Sequence, residues 1–169
     1  MIGEKMLEML NKQIQEEYYS AYLYLSMSSY FDSQGLSGMA NWMRVQYDEE
    51  VSHALKIYDY ILERGGKVEL LALKQPPNEW KSPLDAFQGA LKHEEYITGK
   101  INDLVDLAIK EKDHAANNFL QWYVEEQVEE EANANQNVDA LKLIGKDGRG
   151  LLMLDREMAQ RVFTPPADE

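Results

Sequence analysis

Residues 39–61 read MANWMRVQYDEEVSHALKIYDYI, and every third or fourth residue of this stretch falls on one face of a helix. That face is apolar at both ends and polar in the middle, and it carries Met39, Met43, Gln46, Glu50, His53, Ile57 and Ile61. An ionised carboxylate buried without a partner is very costly, so an acid on a core-facing stripe needs a cation nearby. The stretch therefore predicts a buried helix that contributes ligands to a cation.

Three further segments carry a stripe of the same kind, apolar along its length and polar near its centre. The polar residues are Glu17 in the first segment, Glu94 in the third, and Gln127 and Glu130 in the fourth. A charged residue on a helix usually faces water. For these acids to do so, the assignment of the core-facing side would have to be wrong in all four helices, at the same level of the bundle. The sequence therefore predicts four long helices whose polar residues meet inside the chain.

The spacing of these residues is repeated in the two halves of the chain. Glu50 follows Glu17 by 33 positions, and Gln127 follows Glu94 by 33. A shift of 77 positions aligns the two sets, which are Glu17, Glu50 and His53 in the first half and Glu94, Gln127 and Glu130 in the second. Residues three apart share one face of a helix. We therefore expect the ligands to be brought together about a local two-fold axis.

A segment without a helical period separates the second helix from the third. It begins at Gly65-Gly66, contains Pro76-Pro77 and ends at Ser82-Pro83, where serine followed by proline is typical of a helix start. Its roughly 17 residues reach about 55 Å when extended, against about 40 Å for a helix of roughly 27 residues. The segment can therefore cross the whole bundle. We predict that the second and third helices run parallel and that the other connections are short and antiparallel.

A short fifth helix is predicted from about residue 150 to 163, stopping before Pro165-Pro166. This helix is apolar on more than one side, and the first helix also carries apolar residues off its stripe. A helix of this kind must bury two faces, one of them outside the core of its own chain. We interpret both sets as contacts between copies of the chain: Leu151, Leu152, Leu154, Met158 and Val162 in the fifth helix, and Tyr18, Tyr19, Tyr22, Leu23 and Leu25 in the first. The chain is expected to be a single domain over residues 1–169, with the bundle at about 5–143.

The composition argues against several classes of function. A net charge of -13 disfavours a nucleic-acid partner. The chain has no cysteine, which excludes thiolate metal sites and disulfides. Residues 1–10 lack the apolar stretch of a signal peptide, and no apolar run approaches the length of a membrane span. We expect a cytoplasmic protein with no membrane partner.

The predicted ligand set is rich in oxygen and contains one imidazole. Such a set suits iron or manganese better than structural zinc, which favours sulfur and nitrogen. A carboxylate such as that of Glu50 can bridge two ions about 3.5–4 Å apart. Two ferrous ions held in this way can give two electrons to one oxygen molecule.

The chain resembles the bacterial and archaeal non-haem ferritins in the residues of their diiron centre and over nearly its whole length. The matching residues are Glu17, Tyr24, Glu50-Val51-Ser52-His53, Glu94 and Gln127-Val128-Glu129-Glu130. The resemblance implies an all-α, ferritin-like four-helix bundle with one long crossover and a short fifth C-terminal helix. It also implies a ferroxidase that oxidises Fe(II) with oxygen or peroxide and stores ferric oxide mineral inside a hollow homo-oligomer of twenty-four chains.

The same resemblance implies roles for individual residues. One iron would be held by Glu17, Glu50 and His53. The second would be held by Glu50, Glu94 and Glu130, with Gln127 close by and Tyr24 in an accessory position beside both irons. A third iron site is implied at Glu49, Glu126, Glu129 and Glu130.

Two positions differ from the bacterioferritins. The second copy of the Glu-x-x-His motif reads Gln127-x-x-Glu130, and Val51 stands where bacterioferritins carry a haem-ligating methionine. We therefore expect no haem.

Two other functions fit part of the pattern. A diiron or dimanganese oxidase acting on an organic substrate would use the same ligands, but it needs a substrate pocket, and the stripes offer no apolar vacancy. A purely structural bundle would carry its acids as surface charge, as the five glutamates within residues 125–131 usually would. His93 lies off the stripe and His114 at a helix start, so we expect both to face solvent.

Overall fold

The computed structural model describes residues 1–165, and its regular structure there is entirely helical. The helices are α1 (Glu4–Ser33), α2 (Ser37–Glu63), α3 (Pro83–Glu111), α4 (His114–Ile144) and α5 (Gly148–Met158). The predicted all-α bundle with a short fifth helix is confirmed. Pro166 and the predicted domain end at residue 169 lie outside the described residues.

Local chemistry explains where the helices begin and end. The Ser82 side chain accepts a hydrogen bond from the Asp85 amide, and Pro83 opens α3, as predicted. Asp113 caps α4 in the same way by accepting from Ala116 N. Gly35 and Gly65 follow α1 and α2 with φ of 74° and 72°, a left-handed conformation that glycine adopts without steric cost.

Hydrogen bonds between the helices fix their directions. Ser20 and Tyr24 on α1 contact His93 and Glu94 on α3, whereas Glu16 contacts Tyr96, so α1 and α3 run antiparallel. Since the short turn at residues 34–36 also makes α1 and α2 antiparallel, α2 and α3 run parallel.

The segment between α2 and α3 lies along α1 for much of its length. Asn11 bonds to the backbone of Lys67, and Ser26 donates to the carbonyl of Pro77 at 2.6 Å. The predicted long crossover is therefore present, and polar side chains of α1 bond to part of its backbone.

The apolar core is divided in two. One cluster includes Met27, Phe31, Met43 and Phe87, and the other, towards the opposite end of the bundle, includes Ile14, Ile57 and Leu120. The polar residues of the four stripes lie between these clusters. Buried apolar contact at both ends thus holds the four helices together across a polar centre.

Helix α5 docks on the N-terminal turn of α2 at unusually short range. Asp155 Oδ1 accepts a hydrogen bond from Met39 N at 2.8 Å. A Cβ atom added at Gly38 would lie 1.6 Å from the backbone oxygen of Asp155. Only glycine at position 38 allows this approach, because real side-chain carbons do not come within 3.0 Å of such an atom.

The fifth helix ends at Met158, earlier than the predicted Phe163. Asn41 Nδ2 donates to the carbonyl oxygens of Met158 at 3.3 Å and Arg161 at 3.0 Å. These bonds to α2 satisfy backbone groups at the helix end and stabilise a chain that turns back towards the bundle.

Two of the residues interpreted as contacts between copies pack inside their own chain. Leu23 is 6% exposed and Met158 is 4% exposed. Tyr22, Leu152 and Val162 are well exposed, together with Leu70 and other apolar residues of the crossover that the sequence pattern did not single out. Within residues 1–165, no helix has the length and hydropathy that a membrane crossing requires.

Candidate metal centre

The six polar side chains predicted to meet at the centre of the bundle do lie there together. They come from all four long helices: Glu17 from α1, Glu50 and His53 from α2, Glu94 from α3, and Gln127 and Glu130 from α4. None of them is more than 5% exposed. All six residues therefore lie on the core-facing sides of their helices, as the helical period predicted.

Two groups of potential ligand atoms are compact enough to hold an ion. Atoms of Glu17, Glu50 and His53 all lie within 4.8 Å of one another, and so do atoms of His53, Glu126 and Glu130. His53 joins the groups, with Nδ1 3.5 Å from Glu50 Oε2 and Nε2 3.8 Å from Glu126 Oε1. The first group is the set expected for one iron. The second includes Glu126, which the resemblance assigned to the third site.

Glu94 is oriented by two neighbouring side chains. The Tyr24 hydroxyl donates to Glu94 Oε1. Gln127 Nε2 donates to Glu94 Oε2 at 3.2 Å, and the same amide lies 3.3 Å from Thr98 Oγ1. Tyr24 thus touches a predicted ligand directly, which fits an accessory position beside the centre.

Burial and mutual repulsion disfavour ionisation of the central acids. Burial raises the pKa of Glu17 to about 7. It raises the pKa values of Glu50 and Glu130 well above the usual range, with repulsion from Glu94 as the second cause in both. These acids must therefore either keep protons or receive cations at neutral pH.

His53 is suited to bind a cation without losing a proton. Burial lowers its pKa to about 4, so the imidazole is neutral at pH 7 and keeps a lone pair for a metal. Several carboxylates and one neutral imidazole in a buried setting are a donor set that fits iron or manganese. The side chains at the centre therefore fit the ions that the sequence pattern predicts.

The residues predicted for a third site lie at the edge of this centre. Glu126 belongs to the second ligand group, and repulsion from Glu129 and Glu49 helps burial to raise its pKa. Glu129 itself is exposed. Glu49 is already paired, because Arg161 Nη2 donates to its Oε2 at 2.6 Å.

Three functional neighbours were missed by reading the sequence. Gln46 Nε2 donates to Glu130 Oε2 at 2.9 Å, and Gln13 Nε2 donates to Glu17 Oε1 at 2.7 Å. Gln46 lies on the α2 stripe one turn before Glu50, and its Oε1 is buried with no hydrogen-bond partner among residues 1–165. The stripe already places Gln46 towards the core, and only its contact with Glu130 was not predicted. Arg161 lies outside the bundle helices, where no periodic pattern identifies it.

His93 is less exposed to solvent than expected. It is partly buried, its Nε2 lies 2.7 Å from Ser20 Oγ, and burial lowers its pKa to about 4. Tyr19 and Tyr96 pack beside the ring and cover it. His114 is exposed, as expected.

Replacing Glu17 with glutamine should stabilise the metal-free protein at alkaline pH. The pKa of Glu17 is about 7 in the folded chain against an ordinary value of 4.5, so folding binds a proton between these pH values. The stabilising effect of that proton is complete below pH 4.5 and is lost as the pH rises through about 7. We expect Glu17→Gln to raise the free energy of unfolding by on the order of 2–3 kcal/mol at pH 8 and to change it little at pH 4.5.

Thermal unfolding of chelator-treated protein at the two pH values measures this difference. The exposed neighbour of Glu94 provides a matched control, since Glu95→Gln also removes one negative charge but no buried acid. Equal unfolding temperatures of Glu17→Gln and the parent chain at pH 8 would contradict the prediction that ionised Glu17 destabilises the folded chain.

Comparison with known proteins agrees with the fold. Residues 7–144 match the family model described as a ferritin-like domain. The "Bacterial non-heme ferritin" of Campylobacter jejuni is 44% identical over 156 residues, covering 92% of this chain and 93% of that protein. The protein of the same name from Bacteroides fragilis is 42% identical over 161 residues, covering 95% of this chain and 100% of the relative.

Solved structures give the same result. A closed form of the Archaeoglobus fulgidus ferritin, engineered by site-directed mutagenesis, is 58% identical with a TM-score of 0.96, covering 97% of this chain and 100% of that one. A structure described as an open pore ferritin from the same archaeon is 58% identical with a TM-score of 0.95, covering 96% and 100%. The chain belongs to the ferritin family.

Proposed function

We propose that this ferritin oxidises Fe(II) at the buried centre and stores the product as ferric oxide mineral inside a hollow homo-oligomer. The observation that carries the proposal is that four buried glutamates and one neutral histidine, contributed by all four long helices, lie together at the centre of the bundle. Membership of the ferritin family supports iron storage in general. Iron is here the substrate and the cargo.

Each half of the bundle would bring its own part of the ligand set. Glu17, Glu50 and His53 would hold one Fe(II), and Glu50 would also face the second ion together with Glu94 and Glu130. Entry of two dications would displace the protons that burial keeps on Glu17, Glu50 and Glu130. Two adjacent ferrous ions can then supply two electrons to one molecule of oxygen or peroxide.

Residues around the ligands would hold the carboxylates in position during this exchange. Gln13 donates to Glu17, Gln46 donates to Glu130, and Tyr24 and Gln127 both donate to Glu94. Such donors favour the ionised form of a carboxylate and orient it towards the metal. Glu49, Glu126 and Glu129 would form a third, more exposed site with Glu130, from which ferric iron moves on.

The storage part of the proposal requires a closed assembly. The exposed apolar residues Tyr22, Leu70, Leu152 and Val162 supply surface that a second copy would cover. We propose a shell of about twenty-four copies in the cytoplasm, without haem because Val51 offers no axial ligand. Light scattering should give a particle of about twenty-four times the 19.5 kDa chain mass. A monomer at micromolar concentration would contradict storage.

Aerobic loading with iron tests the function as a whole. Fe(II) is added to the metal-free protein, and the near-ultraviolet absorbance of Fe(III) and the consumption of oxygen are followed together. We expect oxidation far faster than in buffer alone, with about two Fe(II) per oxygen molecule in the first turnover, and electron-dense cores in the loaded particles. Oxidation at the rate of the buffer blank would overturn the proposal.

A further inference from the structure

Arg161 lies beyond the end of α5 and reaches back to the edge of the metal centre. Its Nη2 donates to Glu49 Oε2 at 2.6 Å, and its guanidinium carbon lies 4.4 Å from the centre of the Trp42 ring. The side chains of Arg161 and Glu49 are 22% and 21% exposed, so the pair is largely shielded from water. An arginine that is stacked on an aromatic ring and bonded to a carboxylate is held in one orientation.

The backbone of Arg161 is also held in place. Asn41 on α2 donates to the Arg161 carbonyl at 3.0 Å and to the Met158 carbonyl at 3.3 Å. Trp42 and Asn41 are neighbours on the same helix as Glu49. The position of the guanidinium beside Glu49 is therefore fixed by α2 itself rather than by a loosely attached tail.

The positive charge of Arg161 acts on two acids of the proposed third iron site. It lowers the pKa of Glu49 and that of Glu130, against the larger raising effect of burial in both. Repulsion from Glu129 raises the pKa of Glu49 and that of Glu126. The guanidinium thus offsets part of the repulsion among carboxylates that a bound cation would otherwise neutralise.

We infer that Arg161 occupies the place of a cation at the third site in the metal-free protein, and that an incoming divalent ion must displace the guanidinium from Glu49. This inference rests on the third iron site of the proposed function. The competition weakens binding at that site without affecting the Glu17, Glu50 and His53 group. A third ion would therefore exchange readily, as suits a site through which iron passes. When Glu49 is released, the Trp42 ring still holds the guanidinium nearby.

Titration of the assembled, metal-free protein with Zn²⁺ tests the inference without any redox reaction. Isothermal calorimetry should resolve two tight sites per chain and one weaker site. We expect Arg161→Gln to tighten the weaker site about fivefold, the size of effect that a partly exposed ion pair supports, and to leave the tight site formed by Glu17, Glu50 and His53 unchanged. Arg156→Gln is the matched control, because Arg156 is an exposed arginine of α5 that should not affect any of the sites.

A second background distinguishes competition for Glu49 from a structural effect of Arg161. In Glu49→Gln protein the carboxylate is absent, so adding Arg161→Gln should no longer tighten the weaker site. If Arg161 had only a structural role, holding the residues after α5 against α2, Arg161→Gln would lower the unfolding temperature and leave the Zn²⁺ affinity unchanged. That result would overturn the inference. Tightening of equal size in the Glu49→Gln background would also overturn it.

The outcome is separable from that of the iron-oxidation test. A parent chain that binds only two Zn²⁺ would overturn the inference together with the third site, while rapid oxidation of iron would still support the function. Conversely, iron oxidation could be absent while a third Zn²⁺ still binds more tightly in Arg161→Gln. That pair of results would overturn the proposed function and support the competition between Arg161 and the ion.

Discussion

Rapid oxidation of Fe(II) should fall by at least about 100-fold when Glu50 is replaced by alanine. Glu50 lies in the ligand group with Glu17 and His53, and it also repels Glu94 and Glu130 across the bundle. It is therefore the acid that faces both halves of the centre. Its loss removes the carboxylate best placed to bridge two ions, so the two electrons that oxygen requires are no longer held at one point.

The measurement is rapid mixing of Fe(II) with metal-free protein in air, followed by absorbance. His53→Ala should have an effect of similar size, because it removes the imidazole that belongs to both ligand groups. Glu95→Ala is the control, since this residue is the exposed neighbour of Glu94 and should oxidise iron at the parent rate. All three variants should form particles of the parent size. A parent oxidation rate in Glu50→Ala would sink the assignment of the centre.

Gly38→Ala should detach the fifth helix. The added Cβ would lie 1.6 Å from the backbone oxygen of Asp155 and 2.5 Å from its carbonyl carbon, so no side-chain rotation can relieve the overlap. Helix α5 would have to move off α2, which breaks the bond from Met39 N to Asp155 and the bonds from Asn41. We expect a cost of about 3 kcal/mol or more, from overpacking and from lost hydrogen bonds.

Thermal unfolding and limited proteolysis together measure this change. Cleavage should increase at residues 145–165 while the four-helix bundle remains resistant. Gly99→Ala is the control, because a Cβ added at this helical position meets no atom within 4 Å. It should stabilise the chain by about 0.5–1 kcal/mol through helix propensity. An unchanged unfolding temperature for Gly38→Ala would show that α5 does not pack as described.

Helical periodicity was sufficient to predict the centre of the site. Glu17, Glu50 and Glu94 each interrupt a largely apolar stripe. Because an α-helix has 3.6 residues per turn, the spacing along each stripe determines which residues share a face. Since four such faces enclose one core, their polar residues had to meet. The crossover was equally predictable, because Pro76-Pro77 exclude a helix and the length of the segment allows it to span the bundle.

Contacts made across the chain by non-periodic segments could not be predicted in this way. Arg161 reaches Glu49 only because the chain turns back after Met158, and that turn depends on Asn41, a residue 120 positions earlier. His93 is covered because two tyrosines pack beside its ring. In both cases a partner, Asn41 for Arg161 and Tyr19 for His93, lies on another helix and carries no pattern that identifies it.

The division of the ligands between two helical hairpins also bears on how the chain folds. Helices α1 and α2 are joined by a short turn, as are α3 and α4, so each hairpin can form from contacts that are close in sequence. The docking of one hairpin on the other is different, because it brings Glu94 and Glu130 up to Glu17 and Glu50 and closes the long crossover loop. Docking is thus the step at which these carboxyl groups must lose water and approach one another, so we expect a divalent cation bound between the hairpins to favour the docked state.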